Sequence, residues 1–177
     1  MNTMATLTSR RSIRSYTGEQ ISSEELNLLL KAANAAPVGM GQYDSVHLTV
    51  IQNAELLHKI DAAGAAMFGK PDMKPLYGAP TLIMISAKAP VPGGENVAYS
   101  NTAIIAHNIA LEAVELGIGA CLIWGATAAA ANDKSLVSAL ELPEGFVPNC
   151  AVAVGKTAEK YEIREVPADR IAANSIV

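Results

Sequence analysis

Arg10-Arg11-Ser12-Ile13-Arg14 crowds three guanidinium groups and a hydroxyl into five residues. Arginine matches the geometry of phosphate with paired, charge-assisted hydrogen bonds. The pattern predicts a short helix over Thr6 to Arg14, on which Arg10 and Arg14 stand one turn apart and Arg11 neighbours Arg14. So placed, the group converges on one anion. The competing reading of the same residues is a solvated basic face neutralised by Glu19 or Glu24. A second feature is the loop Pro37-Val38-Gly39-Met40-Gly41-Gln42. Its glycines let backbone approach a ligand closely, and they equally suit an ordinary helix-to-strand turn. The third is Gly117-Ile118-Gly119, followed by Leu122-Ile123-Trp124-Gly125-Ala126. This is no dinucleotide fingerprint, because position 122 is Leu rather than Gly and the motif follows a helix pattern. Trp124, closing an apolar run, is either core or the wall of a pocket for a planar ligand.

Much familiar chemistry has no footing in this sequence. It contains no GxxxxGK[ST] phosphate loop, no GxSxG elbow and no HExxH. The histidines (His47, His58, His107) and the cysteines (Cys121, Cys150) lack metal-ligand spacing. Both cysteines sit in apolar runs and read as buried, reduced thiols. No catalytic triad or carboxylate pair stands out. Such a chain suits an enzyme whose cofactor carries the difficult step while protein supplies binding and orientation. A phosphate-bearing organic cofactor would give the arginine cluster its purpose.

The elements that must hold these residues follow from pattern. Ser22-Ser23-Glu24-Glu25 fits a capping box, and Leu26, Leu29, Leu30 and Ala33 follow at helical spacing until Pro37. His47 to Ile51 reads as a strand, and Asn53 caps a helix through Leu56, Leu57 and Ile60. Gly64 to Gly78 reads as irregular, either an ordered surface excursion or a mobile lid. Pro80 to Ala87 is a buried strand, and Asn96 to Leu116 the longest helix, with Gly117 as its C-terminal cap. Ala120 to Gly125 reads as a strand, Asp133 to Leu140 as a helix, and Asn149 to Val154 as a last strand. The tail from Lys156 has no period, yet Ile163, Val166, Ile171, Ile176 and Val177 predict that it packs against something. Strands alternating with helices, without repeats or linkers, predict one α and β domain over residues 1–177.

Composition narrows the class further. Half of the residues are hydrophobic, 17% are charged and the net charge is −4. That balance argues against a nucleic-acid binder, which would carry a basic stripe. It also leaves few charges to cover the outside, so apolar surface is expected inside a subunit interface. The N-terminus lacks a signal peptide's apolar segment. The best membrane candidate, Ile118 to Ala131, is too short and is broken by Gly119, Gly125 and Thr127. The expectation is a cytoplasmic protein.

Taken in order, these pieces resemble the nitroreductase family of flavoproteins. Arg10-Arg11-Ser12-Ile13-Arg14 is similar to its N-terminal RRSxR signature, and Ala32-Ala33-Asn34-Ala35-Ala36-Pro37 to its helix ending in Ala-Pro. Asn101 to Gly119 resembles its long helix closing in Gly-Leu-Gly. Cys121 to Ala126, Leu142 to Gly145 and Val152 to Gly155 follow in the same sequence. The resemblance implies an α+β fold with a central, mostly antiparallel sheet flanked by helices. It also implies an intertwined homodimer, with FMN sites built from both chains. It implies an oxidoreductase in which NADH or NADPH passes a hydride through FMN to a nitroaromatic, quinone or related acceptor, by a ping-pong cycle. Carried over, Arg10, Arg11, Ser12 and Arg14 would hold the phosphate and ribityl chain, with Lys156 and Arg164 closing that site. Pro37, Val38, Gly39 and Gln42 would lie along the flavin from the partner chain, and Ile123, Trp124 and Gly125 would face the ring. The chain departs from the family where Gln42 replaces an Asn, Val46 a Trp, and Asn101 an acidic residue. These departures keep open a non-catalytic flavin-binding protein for storage or sensing. A phosphate-ligand module without flavin is the third reading.

Overall fold

The computed structural model describes residues 2–176. The capping box forms as read. The Ser22 hydroxyl accepts from the Glu25 amide at 3.1 Å, and the Ser22 amide donates to the Glu25 carboxylate at 2.7 Å. It launches helix α2 (Ser23–Asn34), after α1 (Thr3–Ser9). Strand β1 (Val46–Ile51) leads to α3 (Ala54–Met67), started by the Asn53 side chain on the Leu56 amide. Strand β2 (Thr81–Ala87) precedes the long α4 (Glu95–Leu116), which stops at Gly117 with φ +67°. Strand β3 (Gly119–Ile123), α5 (Gly125–Asn132), α6 (Lys134–Ala139) and β4 (Val147–Gly155) complete the order.

Among the described residues the strands form one four-stranded sheet, ordered β1-β2-β4-β3, with every pairing antiparallel. Because side chains alternate along a strand, β2 and β4 each feed two cores. Ile83, Ile85, Val152 and Val154 face α2 and α4, against Leu29, Ile105 and Ile109. Leu82, Met84, Ala151 and Ala153 face α3, α5 and α6, against Ile60, Ala126 and Leu136. This is the α+β architecture expected, with the long helix lying on one face of the sheet.

Two elements differ from expectation. Helix α1 ends at Ser9, so Arg10 to Arg14 are not helical. Instead the Ile13 amide donates to the Ala120 carbonyl at 2.9 Å, and Ile13 is fully buried. Burying Ile13 and covering an otherwise open strand edge outweighs another helical turn. Gly125 belongs to no strand: β3 ends at Ile123, and Gly125–Asn132 forms a helix that the sequence reading lacked. Its alanine run has high helix propensity without amphipathic period.

The stretch read as irregular is partly helix, since α3 runs to Met67. The remainder is tied down: the Asp61 carboxylate accepts from the Leu76 amide at 2.7 Å, and Leu76 is buried. The tail touches its own chain at Tyr161, whose hydroxyl donates to the Ile118 carbonyl, and at Arg164. Beyond that, Ile163, Val166, Ile171 and Ile176 remain exposed. Val177 lies outside the described residues.

Candidate functional site

The extended run after α1 sorts the arginines. Of its residues Ile13 alone is buried, while the arginines and Ser12 stay partly or fully exposed. Arg11 turns to the tail, donating to the Glu159 carboxylate at 2.9 Å and the Lys160 carbonyl at 3.1 Å. The predicted cluster of four therefore resolves into three plus an outward ion pair. Among the described residues neither Arg10 nor Arg14 forms an ion pair. The Arg14 guanidinium lies over the Tyr77 ring, 5.6 Å from its centroid. Burial pushes the Cys121 thiol up, while Arg14, Ser12 and Arg10 all pull it down. Ser12 and Arg14 are thus the near polar neighbours of this β3 residue, and Arg10 acts on it from farther off. Burial, and then repulsion from the Arg10 charge, hold His107 on α4 below its ordinary value.

Beside this cluster lies the turn from β3 into α5. Ile123 is buried, whereas Trp124 is 51% exposed. No side chain caps α5, so its first amides are left for other partners. Gly125 is a close approach: a Cβ there would sit 2.3 Å from the Phe68 ring. Phe68 itself is 47% exposed and was not read from the sequence. Only the fold shows that an aromatic residue at the end of α3 covers this turn.

The second half of the predicted site lies elsewhere. The Gly39 amide donates to Asn101 Oδ1 of α4 at 2.9 Å, and a Cβ on Gly39 would meet Val97 at 2.8 Å. Met40 follows in the left-handed region (φ 58°), and the Gln42 carbonyl accepts from the Ser45 hydroxyl at 2.7 Å. Pro37, Val38, Gly39, Val97, Asn101 and Ile104 line a groove of about 350 Å³. Asn101 is 3% exposed, and its Nδ2 has no hydrogen-bond partner among the described residues. This loop leads into β1, while the arginine segment runs along β3, and these are the two opposite edges of the sheet. Three strand spacings separate such edges by roughly 14 Å. One chain does not bring the two halves together.

The weaker candidates are engaged in other contacts. The Lys156 ammonium pairs with the Glu25 carboxylate at 2.5 Å, and this ammonium is the main cause of that carboxyl's depressed pKa. The Arg164 guanidinium donates to the carbonyls of Thr8 (3.0 Å) and Arg10 (2.7 Å). It props the backbone that carries Arg10.

Comparison with known proteins follows the same outline. The Nitroreductase family model matches residues 7–156. A protein of Archaeoglobus fulgidus, named by inference an NADH dehydrogenase/NAD(P)H nitroreductase, is 31% identical over 88% of this chain and 86% of its own. A crystal structure of a nitroreductase with bound FMN from Bacteroides fragilis superimposes with a TM-score of 0.80 and 26% identity, covering 99% of this chain and 100% of that one. A nitroreductase with bound FMN from Desulfitobacterium hafniense shares the fold, with a TM-score of 0.83 at 24% identity, 99% of this chain and 100% of that one being covered. By its arginine segment, its antiparallel sheet and these matches, the chain belongs to the nitroreductase family.

Proposed function

We propose that this protein is an FMN-dependent oxidoreductase that takes electrons from NADH or NADPH and delivers them to a small nitroaromatic, quinone or related acceptor. The observation that carries the reading is the grouping of Ser12 and Arg14 at Cys121 of β3, with Arg10 acting from farther off and neither guanidinium in an ion pair among the described residues. Two cations held together without carboxylates favour an anionic ligand, and a hydroxyl beside two guanidinium groups suits a phosphate. The neighbouring β3–α5 turn offers backbone amides, a half-exposed Trp124 and the Phe68 ring to a planar group. The donor set therefore fits FMN. The relatives bearing the nitroreductase name, and the Bacteroides fragilis structure with bound FMN, support the same ligand.

Bound FMN would supply the centre that accepts and gives up hydride. The chain's own work is to anchor the phosphate through Arg10, Ser12 and Arg14, and to favour negative charge nearby. Arg11 and Lys156 hold the tail and α2 in place. Arg164 fixes the Arg10 backbone. A single pocket serving nucleotide and acceptor in turn needs no dinucleotide fingerprint, and the sequence has none.

The complete site needs a second copy of the chain, which would supply Pro37, Val38, Gly39 and Gln42. Three observations support a homodimer. The two half-sites lie at opposite sheet edges. Tyr99 and Ile104 of α4 are large hydrophobic side chains left exposed. The tail carries Ile163, Val166, Ile171 and Ile176 exposed among the described residues.

A visible spectrum of the purified protein, before and after anaerobic NADH or NADPH, tests the reading, with the released cofactor identified by chromatography. A flavin spectrum that bleaches is the expected result. A flavin spectrum that stays oxidised with both nucleotides would replace the enzyme by a flavin carrier. A colourless chain that takes up no added FMN would end the flavin reading.

A further inference from the structure

Tyr77 stands in a backbone conformation that a tyrosine seldom adopts. Its φ is +57°, and Gly78 beside it is also left-handed at +75°. A bulky residue held there is strained, and such strain persists only where its surroundings enforce it. The surroundings are on either side. The Leu76 amide donates to the Asp61 carboxylate at 2.7 Å, and Leu76 and Ala79 are both buried in the core under α3 and α5. The Tyr77 amide donates to the Lys74 carbonyl at 2.8 Å, and the Ala79 amide to the Leu76 carbonyl at 3.0 Å. Clamped by those anchors, the turn presents the aromatic ring to the Arg14 guanidinium at 5.6 Å, within cation–π range. Tyr77 thus spans from the loop after α3 to the arginine segment on β3, between which no ion pair runs among the described residues.

We propose that Tyr77 is a positioning residue for ligand binding: its side chain, chiefly the ring, holds the Arg14 guanidinium near Ser12, ready for the anionic part of the cofactor. The inference rests on the flavin reading above. A long arginine side chain left free loses rotamer entropy when it binds, and a ring that already holds it removes part of that loss.

The test is a double-mutant cycle on FMN affinity, titrating FMN into the full-length chain freed of flavin and following flavin fluorescence. Tyr77→Asn removes the ring while tolerating the left-handed backbone. It should raise Kd roughly two- to fivefold, the worth of an exposed cation–π contact. Tyr77→Phe keeps the ring but loses the hydroxyl that also engages the Arg14 guanidinium, and should bind between wild type and Tyr77→Asn. In an Arg14→Ala background, Tyr77→Asn should change Kd no further, because coupled residues are non-additive. An equal loss in both backgrounds, or a Tyr77→Phe variant as weak as Tyr77→Asn, would overturn the proposal. So would an Arg14→Ala variant that binds FMN as tightly as wild type. A wild-type chain that takes up no FMN at all would instead sink the flavin reading beneath it.

Discussion

Replacing Gly125 by alanine tests whether Phe68 forms part of the site or of the core. The new Cβ would lie 2.3 and 2.6 Å from two atoms of the Phe68 ring, too close for any real contact. Backbone is not the obstacle, since α5 tolerates alanine, so the ring must swing out. Phe68 is 47% exposed already. Full burial of a phenylalanine is worth about 1.5–3 kcal/mol, so ejecting the buried half costs roughly 1–1.5 kcal/mol. Against that, Gly→Ala in a helix gains about 0.5 kcal/mol or a little more. The net is a loss of roughly 0.5–1 kcal/mol. In a Phe68→Ala background nothing blocks the new methyl, and the same Gly125→Ala change should stabilise by about 0.5 kcal/mol. The sign reversal is the signature, a coupling of about 1–1.5 kcal/mol between the two positions. Urea unfolding of all four proteins freed of flavin, at one protein concentration, measures it. The same sign in both backgrounds would refute the ring-over-glycine geometry, and a loss above roughly 3 kcal/mol in the single variant would mean that Phe68 is rigid core.

Three further outcomes follow from the structure. Arg10→Ala with Arg14→Ala should release the cofactor while circular dichroism stays native; full occupancy in that double variant would show the pair to be surface charge. Asp61 carries a carboxyl raised above its ordinary value, chiefly by burial and against the pull of the Leu76 amide, His58 and Lys74. Its folded form holds the proton more tightly than the unfolded chain does, so its contribution to stability is lost as pH rises through the folded pKa. Asp61→Asn, which can still accept from the Leu76 amide, should be as stable as wild type or more so at neutral pH. That advantage should vanish below about pH 4, and a variant weaker at neutral pH would contradict the sign. Burial pushes the Cys150 thiol up to about 12 and raises that of Cys121. Neither should react with Ellman's reagent near pH 8 until the protein unfolds, and one fast-reacting thiol would show an opening not seen here.

Local signals were legible where the chain decides its own conformation. Ser22 and Glu25 form their capping box within four residues, Asn53 caps its helix directly, and Gly117 ends α4 in the left-handed turn that the sequence implies. The Thr81–Ala87 strand is apolar on both faces and is buried on both. The arginine segment was legible as chemistry but not as geometry. Whether it coils or extends depends on Ile13 finding Ala120, more than a hundred residues away, and no local period encodes that. The α5 helix was missed for the opposite reason, since an alanine run has no polar face to betray its period. Phe68 over Gly125 and Tyr77 over Arg14 are tertiary contacts between segments that the sequence keeps apart. The separation of Pro37–Gly39 from Arg10–Arg14 appears only once strand order is known.

That strand order also sets a timetable for synthesis. The strand paired between β2 and β3 is β4, the last of the four to be made. A growing chain can join β1 to β2 as a hairpin-like pair, but β3 has no strand to pair with until residues 147–155 emerge. Until then one edge of β2 and the inner edge of β3 are open, each with unpaired backbone N–H and C=O groups that invite other nascent chains. The arginine segment, laid along the outer edge of β3 at Ile13, gives that strand a provisional neighbour made before any of the four strands. The ligand-holding segment would then also serve as a guard during the chain's most vulnerable interval.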